Sequence, residues 1–494
     1  MSKHISILFA ASEVVPFAKT GGLADVAGAL PIVIKELGHE VRIAMPRYAC
    51  IGERKHKLHD IVRLHAQAIP IASTPVDIDI KSSFLTNSKA KVQVYFIDNP
   101  RYFGREGLYQ DPANKNRDYP DNDERFILFC RAILETLKKL GWQPDIIHCN
   151  DWQTGLIPVY LKTLYRDDPF FKNTRTVLTV HNLAYQGNFP ASSFRKTGLP
   201  AQVFHPDGVE FYGSFNFLKA GLIYADAITT VSQKYAEEIR TLEEFGCGLS
   251  GVLEKRKEDL YGILNGIDYR EWSPESDSYI PARYGPKNIG GKNENKLALL
   301  RRMRLPTGGP TLLLGMISRL ADQKGFDLLQ QAAEDLLRLP VQLVILGTGE
   351  KKYHDFLESL RSRYPEKVAI ELGFSTELAH LIEAGADAFL MPSRYEPCGL
   401  NQMYSMKYGT IPVVRATGGL DDTIENYDPA TGAGTGFKFV RYDAREFLEA
   451  IGRAVRLFAD RGAWEQLMRN AMGKDFSWEV SARKYIQLYK KIIK

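Results

Sequence analysis

The fold is decided by residues 311–325, which read TLLLGMISRLADQKG. An apolar run ends at Ser318, and a loop that carries Arg319 and Lys324 follows it. Beyond the loop, an amphipathic pattern predicts a helix over Phe326–Leu339. Continuous apolar runs are typical of parallel strands that are buried on both faces. The stretch therefore predicts one strand–loop–helix unit of a parallel α/β sheet.

The same unit repeats along the chain, with further helical stretches such as Glu124–Leu140. A chain of 494 residues is too long for one hydrophobic core. We therefore predict an α/β protein with two doubly wound, Rossmann-like domains. The predicted strands are ISILFAA, EVRIAMP, VQVYFID, DIIHCN, TVLTVHN and AITTVS in the first half, and LYGILNG, TLLLGMIS, VQLVILG, VAIEL, DAFLMPS, IPVVR and GFKFV in the second.

The composition excludes several classes of protein. Lys and Arg number 64 against 59 acidic residues, and a net charge of +5 is too small to predict nucleic-acid binding. The five cysteines form no C-x-x-C pair, which argues against a zinc site or disulfides and favours the reducing cytoplasm. The first apolar run is too short for a secretory signal, and no run is long enough to span a membrane.

Two stretches are candidate domain boundaries, the charged region Glu237–Asp259 and the Gly- and Pro-rich region Tyr284–Lys296. The last residues, SWEVSARKYIQLYKKIIK (477–494), predict an amphipathic helix with Ser477 as its N-cap. Its apolar face consists of Trp478, Ala482, Tyr485, Tyr489 and Ile492.

The stretch KTGGLADV (19–26) follows the first predicted strand and opens a helical pattern in which Pro31 predicts a kink. Paired glycines let backbone N–H groups approach an anion, and Lys19 adds a positive charge. A tight turn with a surface lysine explains the stretch equally well. It matches neither G-x-G-x-x-G nor a Walker loop. A second stretch, ATGGLDDT (416–423), is either a chance match or a second glycine-rich turn between strand and helix.

Polar residues follow several predicted strands. Arg319 and Lys324 lie at a strand end, where open α/β sheets bind ligands, and both side chains suit phosphate oxygens. Two solvated surface cations are the alternative, but the position at a strand end favours a phosphate site. His181 ends one strand, and His148 and Asp151 occupy another strand end, although a lone histidine is more often structural. We predict no metal site, because no metal-ligand spacing is nearby. The absence of G-x-S-x-G argues against a serine hydrolase.

The stretch SRYEPCGLNQMYSMKYG (393–409) places Glu396 beside a helix predicted to start near Gly399 or Leu400. Free N–H groups and the helix dipole favour a negative ligand there, whereas a carboxylate suits the hydroxyls of a sugar. A neutral sugar joined to a diphosphate explains both features. For Cys398 we favour a backbone role over that of a thiol nucleophile.

Six motifs occur in the order found in bacterial glycogen synthases and plant starch synthases, and the chain resembles this family over essentially its whole length. They are KTGGLADV, HNLAYQG (181–187), NGID (265–268), SRL-x-x-QKG, SRYEPCGLNQ and TGGL-x-DT. The resemblance implies a GT-B fold, in which two Rossmann-like domains face each other across a deep cleft. It implies an N-terminal domain over 1–260, a second domain over 261–475, and a helix over 476–494 that returns to the first domain.

The resemblance also implies a retaining enzyme that moves glucose from ADP-glucose to the non-reducing end of an α-1,4-glucan, without cofactor or metal. Its catalytic residues are then His181, Arg319, Lys324 and Glu396. Its donor-binding residues are Lys19, Gly22, Asp25, Asn182, Asn265, Phe374, Cys398, Gly399 and Leu400. The alternative functions are a glucosyltransferase that uses UDP-glucose, a nucleotide-sugar epimerase, and an inactive glucan-binding scaffold.

By this resemblance, Lys19 and Gly22 contact phosphate, whereas Arg319 and Lys324 neutralise the distal phosphate. Glu396 holds glucose hydroxyls. His181, Asn182 and Asn265 lie near the donor glucose, and Phe374 stacks on adenine. Tyr404 stands where many retaining GT-B enzymes carry a second glutamate, as is usual in the glycogen synthase branch, whereas Asn401 replaces a threonine that is common in this branch. We interpret Asp77-Ile-Asp79, which matches the metal-binding D-x-D of another fold, as a coincidence.

Overall fold

The computed structural model describes residues 4–71, 74–87, 89–114 and 117–493. The chain divides into two compact units. Unit 1 comprises Met1–Val231, Ala236–Gly266 and Trp478–Lys494, and unit 2 comprises Ser232–Tyr235 and Ile267–Ser477.

Unit 1 contains one large sheet and two small ones. Its strands are β1 (Ser6–Ala10), β2 (Glu40–Pro46), β3 (His59–Asp60), β4 (Gln67–Ile71), β5 (Thr74–Thr86), β6 (Lys91–Asp98), β7 (Gln110–Asp111), β8 (Arg117–Asp118), β9 (Ile146–Asn150), β10 (Arg175–Val180), β11 (Asn188–Pro190), β12 (Glu210–Phe211), β13 (Ser214–Asn216), β14 (Ala227–Thr230) and β15 (Leu260–Gly262). Its helices before residue 260 are α1 (Gly22–Glu36), α2 (Glu53–His56), α3 (Asn122–Leu140), α4 (Leu156–Lys162), α5 (Phe217–Tyr224), α6 (Gln233–Thr241, whose first residues belong to unit 2), α7 (Glu243–Gly246) and α8 (Ser250–Lys255).

The large sheet has the order β15-β14-β10-β9-β1-β2-β6-β5-β3, and β4 also pairs with β5. The strands from β15 to β6 in this order are parallel, whereas β5 runs antiparallel to β3, β4 and β6. Strands β11, β13 and β12 form a small antiparallel sheet, and β7 pairs with β8.

Unit 2 contains a sheet in which every pairing is parallel. Its strands are β16 (Leu312–Ile317), β17 (Val341–Gly347), β18 (Val368–Leu372), β19 (Ala388–Met391), β20 (Ile411–Arg415) and β21 (Phe437–Phe439). Their order in the sheet is β18-β17-β16-β19-β20-β21. The helices are α9 (Gly291–Arg302), α10 (Phe326–Arg338), α11 (Lys351–Arg363), α12 (Thr376–Gly385), α13 (Asn401–Lys407), α14 (Gly418–Thr423), α15 (Ala444–Phe458) and α16 (Arg461–Met472).

Each apolar run predicted as a strand contains a strand of one of the two large sheets. The reason is visible in the burial of β17, whose residues Val341–Gly347 are all buried. The antiparallel strands β3 to β5 were not predicted, because β3 is very short and β5 alternates between buried and exposed residues. Helix α1 continues past Pro31 to Glu36, so the expected kink does not end it.

The two candidate boundary regions do not separate the units. Glu237–Asp259 forms helices of unit 1, and Tyr284–Lys296 includes the start of α9 in unit 2. The run LYGILNG was assigned to the second half of the chain, and the second domain was expected to begin at residue 261. Instead β15 hydrogen-bonds to β14 in the first sheet, and unit 1 continues to Gly266.

The last helix, α17 (Trp478–Ile493), belongs to unit 1, and the predicted final residue, Lys494, lies outside the described residues. Its residues Trp478, Ala482, Tyr485 and Tyr489 are buried, as the apolar face predicts. The Tyr489 hydroxyl lies 2.7 Å from Nδ1 of His148 on β9. Among the described residues, no helix is both long enough and apolar enough to cross a membrane.

Candidate active site

The polar residues of unit 1 collect where three neighbouring parallel strands end. Glu13 follows β1, Asp151 follows β9, and His181 follows β10. Because β9 pairs with both β1 and β10, the three loops meet at one edge of the sheet. Such carboxyl edges are where open α/β sheets bind ligands. We call these residues, together with Lys19 and Asn150, the N-terminal cluster.

Glu13 holds the KTGGLADV loop in place. Its carboxylate accepts hydrogen bonds from Oγ1 of Thr20 (2.6 Å), from the Tyr109 hydroxyl (2.7 Å), and from the backbone N–H groups of Thr20 and Gly21. The Glu13 side chain is buried. The sequence does not indicate this residue, because a glutamate three residues beyond a strand carries no motif of its own. The structure therefore adds Glu13 as the anchor of the loop.

Lys19 and Asp25, both singled out from the sequence, form an ion pair of 2.7 Å at the surface. A surface pair of this kind contributes little, at most about 1 kcal/mol, so an anionic ligand competes for Lys19 at small cost. A Cβ atom on Gly21 or Gly22 would meet nothing within 4 Å. Gly21 has φ of −150°, which any residue adopts. Neither packing nor backbone geometry within unit 1 requires these glycines, and the space above the loop suits a ligand.

The second TGGL stretch has a different role, although both stretches open a helix. A Cβ atom on Gly418 would lie 2.0 Å from the Glu396 carbonyl oxygen, and one on Gly419 would lie 2.0 Å from that of Cys398. Gly418 also has φ of +46°. These glycines are required by the close approach of their backbone to the loop that carries Glu396.

The imidazole of His181 is oriented by Asn150. The Asn150 amide nitrogen donates to the carbonyls of Ala10 (3.0 Å) and His148 (3.3 Å), so its oxygen faces Nε2 of His181 at 2.9 Å. Nε2 of His181 therefore carries the proton, and Nδ1 is an acceptor. Nδ1 is buried and has no partner among the described residues. Burial lowers the pKa of His181 to about 3, so the ring is neutral and ready to accept a hydrogen bond from a hydroxyl.

His148 is a structural residue. It is fully buried, and its Nε2 lies 2.6 Å from Oγ1 of Thr179, while its Nδ1 faces Tyr489 of α17. Burial lowers the pKa of His148 to about 3. With both ring nitrogens occupied, His148 joins the sheet to α17 and has no atom left for a ligand.

Asp151 combines backbone strain with a perturbed carboxyl. Its φ of 54° and ψ of −172° lie in a region populated almost only by glycine. One carboxyl oxygen accepts the backbone N–H of His181 at 2.7 Å. Burial raises the pKa of this carboxyl to about 7, and the negative charge of Glu13 adds to the shift. Backbone strain and shifted pKa values are both enriched at functional positions, which makes Asp151 a candidate. The sequence indicated Asp151 only by its place at a strand end.

We expect Asp151→Asn to remove a pH dependence of stability. The carboxyl has a pKa of about 7 in the folded chain and an ordinary value of 3.8. Between these values the folded chain retains a proton that the unfolded chain has released, so the free energy of unfolding falls as pH rises. The loss amounts to about 4 kcal/mol at most. Denaturant unfolding of both proteins from pH 4 to pH 8 checks this.

The asparagine variant should gain stability relative to the wild type across this range, and the difference should level off above pH 7. A difference that stays constant from pH 4 to pH 8 would show that Asp151 titrates normally.

Two further predicted residues of unit 1 lie in loops. Asn182 uses its side-chain oxygen to accept the N–H of Ala184 at 3.0 Å, which shapes the turn after His181. Asn265 follows β15 and is buried, and its side-chain oxygen has no partner among the described residues. The side-chain oxygen of Asn265 is therefore available to accept a hydrogen bond from a ligand, whereas that of Asn182 already accepts one from Ala184.

The second group of polar residues lies at the carboxyl edge of the unit 2 sheet, where β16 and β19 are neighbours. Nζ of Lys324 lies 2.6 Å from Oε2 of Glu396, and Oγ of Ser393 donates to the same oxygen at 3.1 Å. Glu396 is buried, and its Oε1 has no hydrogen-bond partner among the described residues. We call Arg319, Lys324, Ser393 and Glu396 the C-terminal cluster.

Arg319 is exposed and donates to the neutral side chain of Gln323 at 3.3 Å. Within the described part of the chain it forms no ion pair. A guanidinium without an anionic partner, on the same loop as Lys324, is the kind of group that suits a phosphate oxygen. The structure thus places Arg319 and Lys324 on the loop after β16 and brings Lys324 into contact with Glu396.

The loop after Glu396 differs slightly from the prediction. Helix α13 begins at Asn401 rather than at Gly399 or Leu400, because Gly399 has φ of +70° and cannot be helical. The Asn401 amide donates to the Ile317 carbonyl at 2.9 Å, which ties α13 to the end of β16. Cys398 is buried, and its predicted backbone role stays a prediction. Phe374 follows β18 and is 93% exposed, so its ring is free to stack.

No group of three or more potential metal-ligating side chains occurs in the described ranges. In the Asp77-Ile-Asp79 stretch, Oδ1 of Asp79 lies 3.0 Å from Nδ1 of His65 and accepts the N–H of Ala66. The side chain of Asp79 thus shapes a turn beside β5.

Two α/β units, each with neighbouring parallel strands that gather polar residues at a carboxyl edge, have the architecture of GT-B glycosyltransferases. The model of the starch synthase catalytic domain matches residues 6–255, and that of glycosyl transferases group 1 matches residues 303–469. The chain belongs to the glycogen synthase and starch synthase family.

Similar proteins agree with this assignment over nearly the whole chain. A glycogen synthase of Koribacter versatilis is 49% identical over 98% of both chains, and one of Thermotoga maritima is 47% identical over 99% of both. The solved catalytic domain of starch synthase IV from Arabidopsis thaliana, bound to ADP and acarbose, has a TM-score of 0.87 and 33% identity. The alignment covers 99% of this chain and 100% of the starch synthase chain. A sucrose-phosphate synthase from Thermosynechococcus elongatus, with a TM-score of 0.58 and 17% identity over 98% of both chains, shares the fold.

Proposed function

We propose that this protein transfers glucose from ADP-glucose to the non-reducing end of an α-1,4-glucan, with retention of the anomeric configuration. The protein is a glycosyltransferase of the glycogen synthase type. The observation that carries the proposal is the C-terminal cluster, where two cations and a buried carboxylate share one sheet edge. A nucleotide-sugar donor needs both kinds of group, cations for its diphosphate and a carboxylate for its sugar.

The departing ADP is stabilised by positive charge. Arg319 and Lys324 face the distal phosphate, and Lys19 exchanges Asp25 for a phosphate oxygen. Fixed charge placed where negative charge develops lowers the barrier of the chemical step. Because these side chains supply the charge, the reaction needs no metal ion or cofactor. Phe374 stacks on the adenine, and Gly22, Cys398, Gly399 and Leu400 offer backbone N–H groups.

The glucose is held by hydrogen bonds to its hydroxyls. Oε1 of Glu396, Nδ1 of His181 and the side-chain oxygen of Asn265 are acceptors that have no partner among the described residues. A sugar hydroxyl donates to each type of acceptor, and a buried acceptor left without a donor is costly. Asn182 shapes the loop beside His181. Neutral His181 accepts a hydrogen bond without adding charge near the anomeric carbon.

The transfer proceeds on one face of the sugar. The bond from the anomeric carbon to the phosphate oxygen breaks, and the acceptor hydroxyl attacks from the same face. Its proton passes to an oxygen of the departing ADP, which acts as the base. Retaining hydrolases use a carboxylate nucleophile instead. We assign Glu396 to hydroxyl binding, so a trapped glucosyl–enzyme adduct would contradict this mechanism.

The test is incorporation of labelled glucose into glucan. The purified protein is incubated with labelled ADP-glucose or UDP-glucose, with and without glycogen, and label in precipitated glucan is counted. We expect label from ADP-glucose, and only when glycogen is present. Label from UDP-glucose alone would overturn the proposed donor. Donor turnover without glycogen would indicate an epimerase, and donor binding without any turnover a scaffold.

The cysteine pattern leads us to place the reaction in the cytoplasm.

A further inference from the structure

We propose that Tyr212 and Tyr185 form an aromatic platform on unit 1 that binds the acceptor glucan away from its reacting end. This inference rests on the proposed function, which supplies the α-1,4-glucan as the ligand. Neither tyrosine belongs to the sites described above.

Tyr212 lies at the tip of a hairpin in a conformation that disfavours it. Phe211 pairs with Ser214, so Tyr212 and Gly213 form a two-residue turn between β12 and β13. Both have positive φ, 48° for Tyr212 and 80° for Gly213. Turns with two positive φ angles favour Asn-Gly or Gly-Gly, and a bulky side chain is sterically unfavourable there.

The Tyr212 ring does not compensate for this strain by packing into the unit, because the residue is 84% exposed. Its ring meets that of Phe211 edge to face, with centroids 4.8 Å apart. A strained residue with a large exposed aromatic ring is explained by a ligand that uses the ring.

The hairpin is held rigidly below the ring. The buried Lys219 ammonium donates to the Pro206 carbonyl at 2.5 Å and also to the Glu210 carbonyl. The N–H of Gly213 donates to Oε1 of Glu210 at 2.5 Å. These contacts fix the hairpin on its buried side and leave the Tyr212 ring at the surface, where an aromatic face suits a neutral ligand.

The hairpin is linked by hydrogen bonds to the loop that begins at His181. The Gln186 amide nitrogen donates to the Cys247 carbonyl at 2.9 Å, and its oxygen accepts from the amide of Asn216, the last residue of β13. A Cβ atom on Gly248 would lie 3.0 Å from the Phe211 ring and 3.5 Å from that of Tyr212. Gln186 thus connects the His181 loop to β13 and to the Cys247–Gly248 segment that packs against the hairpin. Tyr185, 57% exposed, precedes Gln186 in this loop.

A glucan fits this surface chemically. The faces of glucose rings are lined by C–H groups that pack on aromatic rings, while hydroxyls at the rim hydrogen-bond to a tyrosine hydroxyl. A growing glucan presents only its last glucose to the donor. The glucose units behind it lie along the protein surface, and an aromatic platform joined to the His181 loop holds them.

The test compares Tyr212→Asn with Tyr212→Trp and with a control, Val62→Asn. Asparagine adopts positive φ readily, so the turn is preserved while the ring is lost. Val62 is 82% exposed, in the same unit, and outside the platform. The measurements are KM for glycogen, KM for ADP-glucose, kcat, and retardation in native gels that contain glycogen.

We expect Tyr212→Asn to raise KM for glycogen about tenfold and to reduce gel retardation, because one aromatic contact of about 1.4 kcal/mol corresponds to this factor. KM for ADP-glucose and kcat should stay at wild-type values. Tyr212→Trp should retain binding, and Val62→Asn should match the wild type.

A KM for glycogen within twofold of the wild type in Tyr212→Asn would overturn the platform. So would a change of oligomeric state in Tyr212→Asn that accounts for the weaker binding, since the ring would then contact a second copy. Failure of the proposed function has a different signature, because the wild-type protein itself would then incorporate no glucose. Gel retardation reports on the platform even in that case.

Discussion

Glu396→Gln is expected to lower the rate of glucosyl transfer about a hundred- to a thousandfold, the loss typical when one group that stabilises the transition state is removed. The buried Glu396 carboxylate accepts from Lys324 at 2.6 Å and from Ser393 at 3.1 Å. Glutamine is nearly isosteric but uncharged. It leaves the Lys324 ammonium without its anionic partner and replaces one acceptor by a donor. Initial rates at saturating ADP-glucose and glycogen measure the effect.

The matched control is Glu425→Gln. Glu425 forms an ion pair with Lys474 at 2.6 Å, the distance found between Lys324 and Glu396, but this pair is exposed. Surface pairs contribute little, so the control should retain wild-type rates and stability. Full activity in Glu396→Gln, with the control also active, would show that Glu396 does not contact the reacting sugar.

Arg319→Ala is expected to reduce kcat/KM for ADP-glucose about a hundredfold or more. Arg319 is exposed, donates a hydrogen bond to the neutral Gln323 and forms no ion pair in the described structure, so its removal disturbs no ion pair of the fold. The loss instead reflects charge on the departing diphosphate. The inhibition constant of ADP should rise in parallel, because ADP carries the same phosphates. Arg319→Lys should recover part of the loss, since it keeps the charge but not the bidentate geometry.

Arg338→Ala serves as the control for Arg319→Ala. Arg338 is an exposed arginine in the same unit, paired with Asp335 on α10 at 2.8 Å. Its removal should leave kcat/KM unchanged. If Arg319→Ala stays within threefold of the wild type, the distal phosphate is neutralised by other groups, and the proposed role of Arg319 is wrong.

The sequence by itself determined the class of fold, because burial on both faces of a parallel sheet demands continuous apolar runs. Runs such as VQLVILG therefore predicted the parallel strands of both large sheets. The antiparallel edge around β5 escaped prediction, since its residues alternate between buried and exposed environments and its partner β3 is very short. Arg319, Lys324 and Glu396 were likewise predictable, because each follows a recognisable strand and parallel strands bring their carboxyl ends to one edge.

Only the tertiary structure decided how these residues are supported. Glu13 reaches the KTGGLADV loop, and Asn150 orients His181, through contacts between segments that are distant in sequence. The strain at Asp151 depends on the backbone between two strands of the sheet, which no local pattern encodes. The two TGGL stretches have the same four residues, yet only the glycines of the second lie against neighbouring backbone in the described structure. Strand periodicity is a local property of the chain, whereas packing, protonation and hydrogen-bond partners depend on residues that the fold brings together.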